Sequence, residues 1–280
     1  MAGGILRAKV RQATQLLIDL LAGKPSKIEL DAAALEIARI EYPDLDANAA
    51  KAELDRHAIA IAERAHDLSN GQDFVETANE YLFREAGFSG NQEDYYNPEN
   101  SCLNRVLETR RGIPISLSVV YIEIGRRLSK KVSGVGLPGH FVVRYDDISY
   151  AAMMDPFNGG KLLDLADCCR LARVEELKIS WLQPVDRRHV VTRMLNNLRG
   201  IYFGRKDSAK ALQVLDLLIA AQPESAEEHK QRAVALMSLE RMPEALAAFR
   251  TYLELSPEAE DRESVEEQIQ NISFWMASRN

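Results

Sequence analysis

Two hundred and eighty residues are enough for two ordinary domains, and 46% apolar with 28% charged residues describes a globular chain with a sizeable core. A formal net charge of −7, with Lys and Arg spread along the chain, excludes a nucleic-acid binder that works through a basic face. The three cysteines, Cys102, Cys168 and Cys169, make neither a disulfide framework nor paired metal-ligand spacing, and imply reduced thiols in a cytoplasmic protein.

The chain opens "MAGGILRAKVRQATQLLIDLLAG". Asp19 interrupts the apolar run and no small-x-small cleavage signature follows, so a secretory leader is not expected, and no segment has the length of a membrane span. Residues 1–90 read as helices: "LDAAALEIARIEYP", "DANAAKAELDRHAIAIAERAHDLSNG" and "DFVETANEYLFREAGF" carry apolar residues at helical spacing, with stops at Pro43 and Gly71. His57 and His66 are nine residues apart, which is not a helical metal-pair spacing, and are expected at the surface or the edge of the core.

"SGNQEDYYNPEN" is a polar loop with two tyrosines, and "SCLNRVLETR" a short helix capped by Asn100 or Ser101. Cys102 falls in its first turn, where a small buried contact is favoured over a reactive thiol. In "RRGIPISLSVVYIEIGRRL", Pro114 suits a first helical turn because its missing N–H has no partner there. Leu117, Val120, Tyr121, Ile124 and Leu128 make a core face, so a buried helix runs from Pro114 to about Lys130. Ser116 sits in its first turn, where it either bonds local backbone groups or presents a hydroxyl for chemistry.

The period then changes. "HFVVRY" and "SYAAMMD" are short, β-branched, aromatic or apolar, and separated by Asp146–Asp147. A turn centred between Asp147 and Ile148 sets His140 directly opposite Asp155, on one face of an antiparallel pair. A one-residue slip would separate them.

From residue 186 the pattern repeats. "SAKALQVLDLLIAAQP" aligns with "MPEALAAFRTYLELSP" at an offset of 34, matching Ala211 to Ala245, Leu212 to Leu246 and Pro223 to Pro257. That period, with a proline after the second helix, is the tetratricopeptide signature. Leu195, Leu198 and Tyr202 fill the first helix of one repeat, Ala233 and Leu236 that of the next, and a final helix extends through Trp275.

"NPENSCLNRVLETRRGIPISLSVVYIEIGRRL", "GVGLPGHFVVRY" and "MMDPFNGG", followed by the repeats, resemble the bacterial SirB-type family of transglutaminase-like domains with C-terminal tetratricopeptide repeats. The resemblance runs from about residue 30 to the end and is strongest between Tyr95 and Gly160. It implies an α+β chain in which a helical N-terminal region (1–90) leads into a papain- or transglutaminase-like core (91–185) with a small antiparallel sheet. An α-helical repeat module (186–280) follows.

The resemblance also implies a catalytic set, with Ser116 at the nucleophile position, His140 as base and Asp155 as its orienting carboxylate. Enzymes of this kind carry cysteine where Ser116 stands. A helix N-terminus and an imidazolium can bring a thiol pKa from about 8.5 down to about 3.5, whereas a hydroxyl is too weak an acid to ionise that way. Thiol chemistry is therefore excluded at Ser116. A Ser-His-Asp set would need its own geometry and an oxyanion hole.

The expected function is a non-catalytic, nucleophile-substituted domain, a pseudoenzyme, joined to a module that binds a protein or peptide partner, acting as adaptor or regulator. The rival is a serine-dependent amide hydrolase or acyltransferase, and a third reading is a scaffold with a filled cleft. No metal, nucleotide or haem signature appears, so no cofactor is expected, nor a nucleic-acid or membrane partner.

Overall fold

The structure, a computed structural model, describes residues 2–278, with side chains from Gln12 onward. It divides into two compact units. One comprises residues 1–13 and Lys27–Met194, the other Thr14–Ser26 and Leu195–Asn280. The helices of the 1–90 region therefore lie, from Lys27 on, in the same unit as the sheet.

Helix α1 (Ala2–Leu21) crosses the unit division at Ala13; in the first unit α2 (Leu30–Ala38), α3 (Ala47–Arg64) and α4 (Gly71–Asn79) follow, the last continued by a π-helical turn over Glu80–Glu85. Asp46 and Asn70 start α3 and α4 by accepting backbone N–H groups of each first turn. His57 is core rather than core edge. It is buried, accepts or donates at 2.9 Å with the Tyr81 hydroxyl, and has its pKa lowered to about 4 by burial and by the Arg110 and Arg56 charges.

A two-residue strand β1 (Ser89–Gly90), helix α5 (Leu103–Thr109) and strand β2 (Arg111–Gly112), parallel to β1, lead into α6 (Pro114–Arg127). Cys102 is the residue preceding α5, not part of its first turn, and is fully buried. The α6 helix is apolar on nearly every side: Leu117, Val119, Val120, Tyr121 and Ile124 are all buried. It ends three residues before Lys130, with Arg126 and Arg127 in the last turn, where cations suit the helix dipole. Arg127 donates to Asp31 of α2 at 2.7 Å, Asp55 of α3 at 2.6 Å and Glu123 at 2.8 Å, tying three helices through one guanidinium. Glu123 is deeply buried, and burial with the neighbouring Asp31 charge pushes its pKa up.

Against α6 lies an antiparallel sheet of β3 (Val132–Leu137), β4 (His140–Asp146), β5 (Ala151–Asp155), β6 (Lys161–Leu163) and, after α7 (Leu165–Ala172), β7 (Pro184–Val185), in the order β6-β5-β4-β3-β7. Val135, Leu137, Val142 and Cys168 form one of its buried clusters. The β4–β5 register pairs Val143 with Met154 and Arg144 with Met153. That is two residues away from the register expected with a turn between Asp147 and Ile148.

Helix α8 (Arg187–Gly204) continues past the unit division at Met194. In the second unit α9 (Ser208–Ala221) packs on α10 (Ala226–Ser238), α10 on α11 (Met242–Leu255), and α11 on the final helix α12 (Arg262–Ala277). Ala211 and Ala245, the matched small residues of the repeat, are fully buried, and Leu236, Phe249, Tyr252 and Ile272 fill one core. No helix among the described residues is long and apolar enough to cross a membrane.

Candidate functional site

The three residues singled out by sequence lie in the first unit, on the N-terminus of α6 and on adjacent strands of the sheet. Pro114 is the first residue of α6 and Ile113, in extended conformation, precedes it. Ser116 falls on the third helical position, from which a side-chain oxygen reaches back to the N–H preceding the helix. Its Oγ accepts from the Ile113 N–H at 3.0 Å, donates to the Asn100 carbonyl at 2.5 Å and lies 3.1 Å from the Ile113 carbonyl. The side chain is 0% exposed.

A hydroxyl has one proton, and the shorter contact takes it. Ser116 thus accepts one backbone bond and donates another. Both partners are shielded from water and also reach each other, the Ile113 N–H donating to the Asn100 carbonyl at 3.4 Å, so Ser116 reinforces a longer direct backbone bond.

His140 and Asp155 meet in space. Nε2 of His140 stands 2.9 Å from Oδ2 of Asp155, although the two residues are not direct cross-strand partners. The observed register moves them to a diagonal. A two-residue shift, unlike a one-residue shift, keeps both side chains on the same face, and diagonal neighbours are within reach of a long side chain. At 1% exposed, Asp155 takes four hydrogen bonds: Oδ2 also accepts from Asn158 Nδ2 at 2.7 Å, and Oδ1 from the Phe157 and Asn158 N–H groups at 3.0 and 3.4 Å. Burial pushes its pKa up, but the His140 bond and charge together with Asn158 outweigh it and hold the carboxyl below its usual range. An ionised carboxylate only accepts, so the His140 proton sits on Nε2, and Nδ1 is the nitrogen left with basic character when the ring is neutral.

Three further residues complete the surroundings. Asn158, to which the sequence assigns no role, orients Asp155. The D-x-x-N spacing of "DPFN", in which an aspartate caps the turn that follows it, is the signal that points to it. Asn100 is not the cap of α5. Its buried side chain donates to the Asp94 and Tyr95 carbonyls at 2.7 and 3.2 Å and accepts from Asn91 at 3.0 Å, while its carbonyl receives Ser116. Arg193 donates to the His140 carbonyl at 2.7 Å and to the Leu137 carbonyl at 3.3 Å, and lies over the Phe141 ring at 5.3 Å. It clasps the two-residue Pro138–Gly139 turn, where Gly139 takes a φ of 70° that a residue with a side chain rarely adopts.

Phe157 meets the edge of the His140 ring at 6.1 Å between centroids, Tyr95 meets Phe157 at 5.9 Å, and Tyr96 extends the aromatic row outward, largely exposed. Among the described residues no hydrogen bond joins Ser116 to His140. The arrangement thus has an oriented imidazole beside an aromatic wall, and a serine held by backbone groups.

Residues 48–196 match the family model described as the transglutaminase-like superfamily, and residues 198–270 match the tetratricopeptide repeat. The chain is 34% identical over 254 residues to a UPF0162 protein of Xylella fastidiosa, covering 88% of this chain and 90% of that one. It is 24% identical over 245 residues to protein SirB1 of Salmonella typhimurium, covering 86% and 90%. Over 163 residues it is 31% identical to F-box only protein 21 of Homo sapiens, which is 54% of this chain and 26% of that protein. No solved structure matches.

Proposed function

The chain belongs to the transglutaminase-like superfamily and carries a tetratricopeptide module, and from that premise we propose that it acts as an adaptor or regulator whose transglutaminase-like domain has no working nucleophile. The observation that carries this reading is the state of Ser116, wholly buried with its hydroxyl engaged by the Ile113 N–H and the Asn100 carbonyl. A nucleophilic serine must be approached by substrate and must hand its proton to a base within hydrogen-bond reach. Ser116 hands its proton to a backbone carbonyl.

The repeats supply the binding activity. Their partner is a protein or peptide, the ligand class such repeats present an extended surface to. Val234 on α10 and Phe274 on α12 keep large apolar side chains exposed in that module. The chain's three unbridged cysteines, all in the first unit, fit work in the cytoplasm.

The rival reading, a serine-dependent amide hydrolase or acyltransferase, is favoured by one observation, the 2.9 Å pairing of His140 with Asp155. A fluorophosphonate probe separates the two. Incubated with the full chain and mapped by mass spectrometry, it is expected to leave Ser116 unmodified. An adduct on Ser116, absent from Ser116→Ala, would establish the hydrolase instead.

A further inference from the structure

Helix α6 starts at the Ser116 turn and ends in a buried cluster of charge. Glu123, one turn before that end, is 1% exposed, and Asp31 on α2 is 2% exposed. Both carboxylates turn to one guanidinium. Arg127 donates to Glu123 Oε2 at 2.8 Å and to Asp31 Oδ2 at 2.7 Å, and spends its Nε on Asp55 of α3. The second cation, Arg126, reaches Glu123 Oε2 at 2.9 Å and Asp31 at 3.6 Å, but its side chain is 44% exposed. Lys51 of α3 stands 3.7 Å from Asp31 and is also largely in solvent.

The main charges acting on Glu123 are therefore Asp31, Arg126 and Arg127. Other charged groups around α6 pair elsewhere. Glu29, before α2, meets Arg187 at 3.1 Å and Arg126 at 4.0 Å. On α5, Arg105 pairs with Glu99 and Glu108, and Arg110 with Glu53. The sheet meets α6 with apolar contacts, Val132 against Gly125 and Ile122 against Gly134. One well-shielded cation thus serves two well-shielded carboxylates, an arrangement that disfavours ionising both. Glu123 has a second feature. Its Oε1 is closed to solvent and has no hydrogen-bond donor. With the group ionised, that oxygen is an unanswered acceptor carrying part of a buried charge, and a bound proton removes the charge.

We propose that Glu123 is a proton-binding latch: with its proton it holds the junction of α2, α3 and α6 closed, and as pH rises it ionises and loosens the end of α6. Burial, and then the Asp31 charge, push the Glu123 carboxyl above its usual range. Its folded pKa exceeds its unfolded one. Its contribution to stability is therefore complete below the unfolded value and lost as pH rises through the folded one. That sign is opposite to the sign for Asp155, whose contribution is lost as pH falls. The latch sits at the far end of the helix that begins at the Ser116 turn. It uses neither His140 nor the repeats, and it stands whether or not the chain is an adaptor.

The test uses the full chain with isotope-labelled glutamate side-chain carboxyls, titrated from acid to alkaline pH by NMR. Glu123→Gln identifies the Glu123 resonance, and the exposed glutamates are the internal reference. The expected result is a carboxyl that ionises at higher pH than that reference group. Asp31→Asn removes the like charge and should move the step to lower pH. Amide hydrogen exchange in the last two turns of α6, corrected for the intrinsic rate at each pH, should quicken across the same step in the wild-type chain. In Glu123→Gln it should stay flat, with α11 as the reference segment in both. A Glu123 resonance that ionises with the exposed glutamates, a step unmoved by Asp31→Asn, or exchange that quickens equally in Glu123→Gln would each overturn the proposal. Should Glu123→Gln fail to fold, Asp31→Asn keeps the glutamate, and the displaced step both assigns the resonance and tests the coupling.

Discussion

The N-terminus of α6 and the rim of the β4–β5 hairpin are both buried polar spots in the same unit, and they use their polar atoms in opposite ways. Ser116 gives all its hydrogen bonding to backbone groups of Ile113 and Asn100. His140 bonds a side chain, Asp155, which is itself held by Asn158 and by the turn behind it. A side chain that serves the fold spends its whole valence on backbone. One that is oriented by other side chains keeps an atom for something else, here Nδ1 of a ring that meets Phe157 edge to face. The transglutaminase-like layout thus contains one half built like a working site and one half built like a helix start.

Asp155→Ala probes the working half and should have the largest effect. It strips partners from His140, Asn158 and two backbone N–H groups, and is expected to lower stability by about 3 kcal/mol in urea unfolding. Acid should act through the same residue. The folded carboxyl titrates below its unfolded value, so its contribution is complete above about pH 4 and is lost as pH falls through the folded pKa. Unfolding midpoints followed down to acid pH should show a fall in that window that Asp155→Asn reduces; an identical fall in the variant would remove Asp155 from the account.

On the other side of the comparison, Ser116→Ala is expected to cost about 1 kcal/mol, the loss of a helix-start bond, because the Ile113 N–H and the Asn100 carbonyl keep their own 3.4 Å bond. Thermal unfolding measures it, and no change would mean the direct Ile113–Asn100 bond suffices without the serine. The smallest effect belongs to Asn158→Ala, about 1 kcal/mol, because Asp155 keeps His140 and the backbone donors. A loss as large as that of Asp155→Ala would mean that Asn158, not His140, holds the hairpin rim.

Much of this was legible in the chain. Helical period located α2 to α6, and the offset of 34 residues located the repeats, because each depends on apolar spacing that local sequence carries. The His140–Asp155 meeting followed from a hairpin whose register was off by two, an even error that leaves facing unchanged. Strand β3 was not legible. "VSGVGL" breaks its alternation with Gly134, and a Cβ there would stand 2.6 Å from Phe141 on the neighbouring strand, a requirement that only the paired sheet reveals. Strands β6 and β7, three and two residues long, carry too few residues for a period. Asn100 was misplaced for a similar reason: its partners Asn91 and Ser116 lie nine and sixteen positions away.

The most direct measurement is the pH dependence of iodoacetamide alkylation of Ser116→Cys, read by mass spectrometry on the peptide carrying position 116. A buried thiol bonded to backbone and unassisted by His140 reacts no faster than the chain unfolds, at any pH from mildly acidic to alkaline. That is the predicted result. Rapid alkylation at mildly acidic pH, abolished by His140→Ala in the same background, would show an assembled and accessible thiolate site and contradict the reading of α6 as a closed helix start.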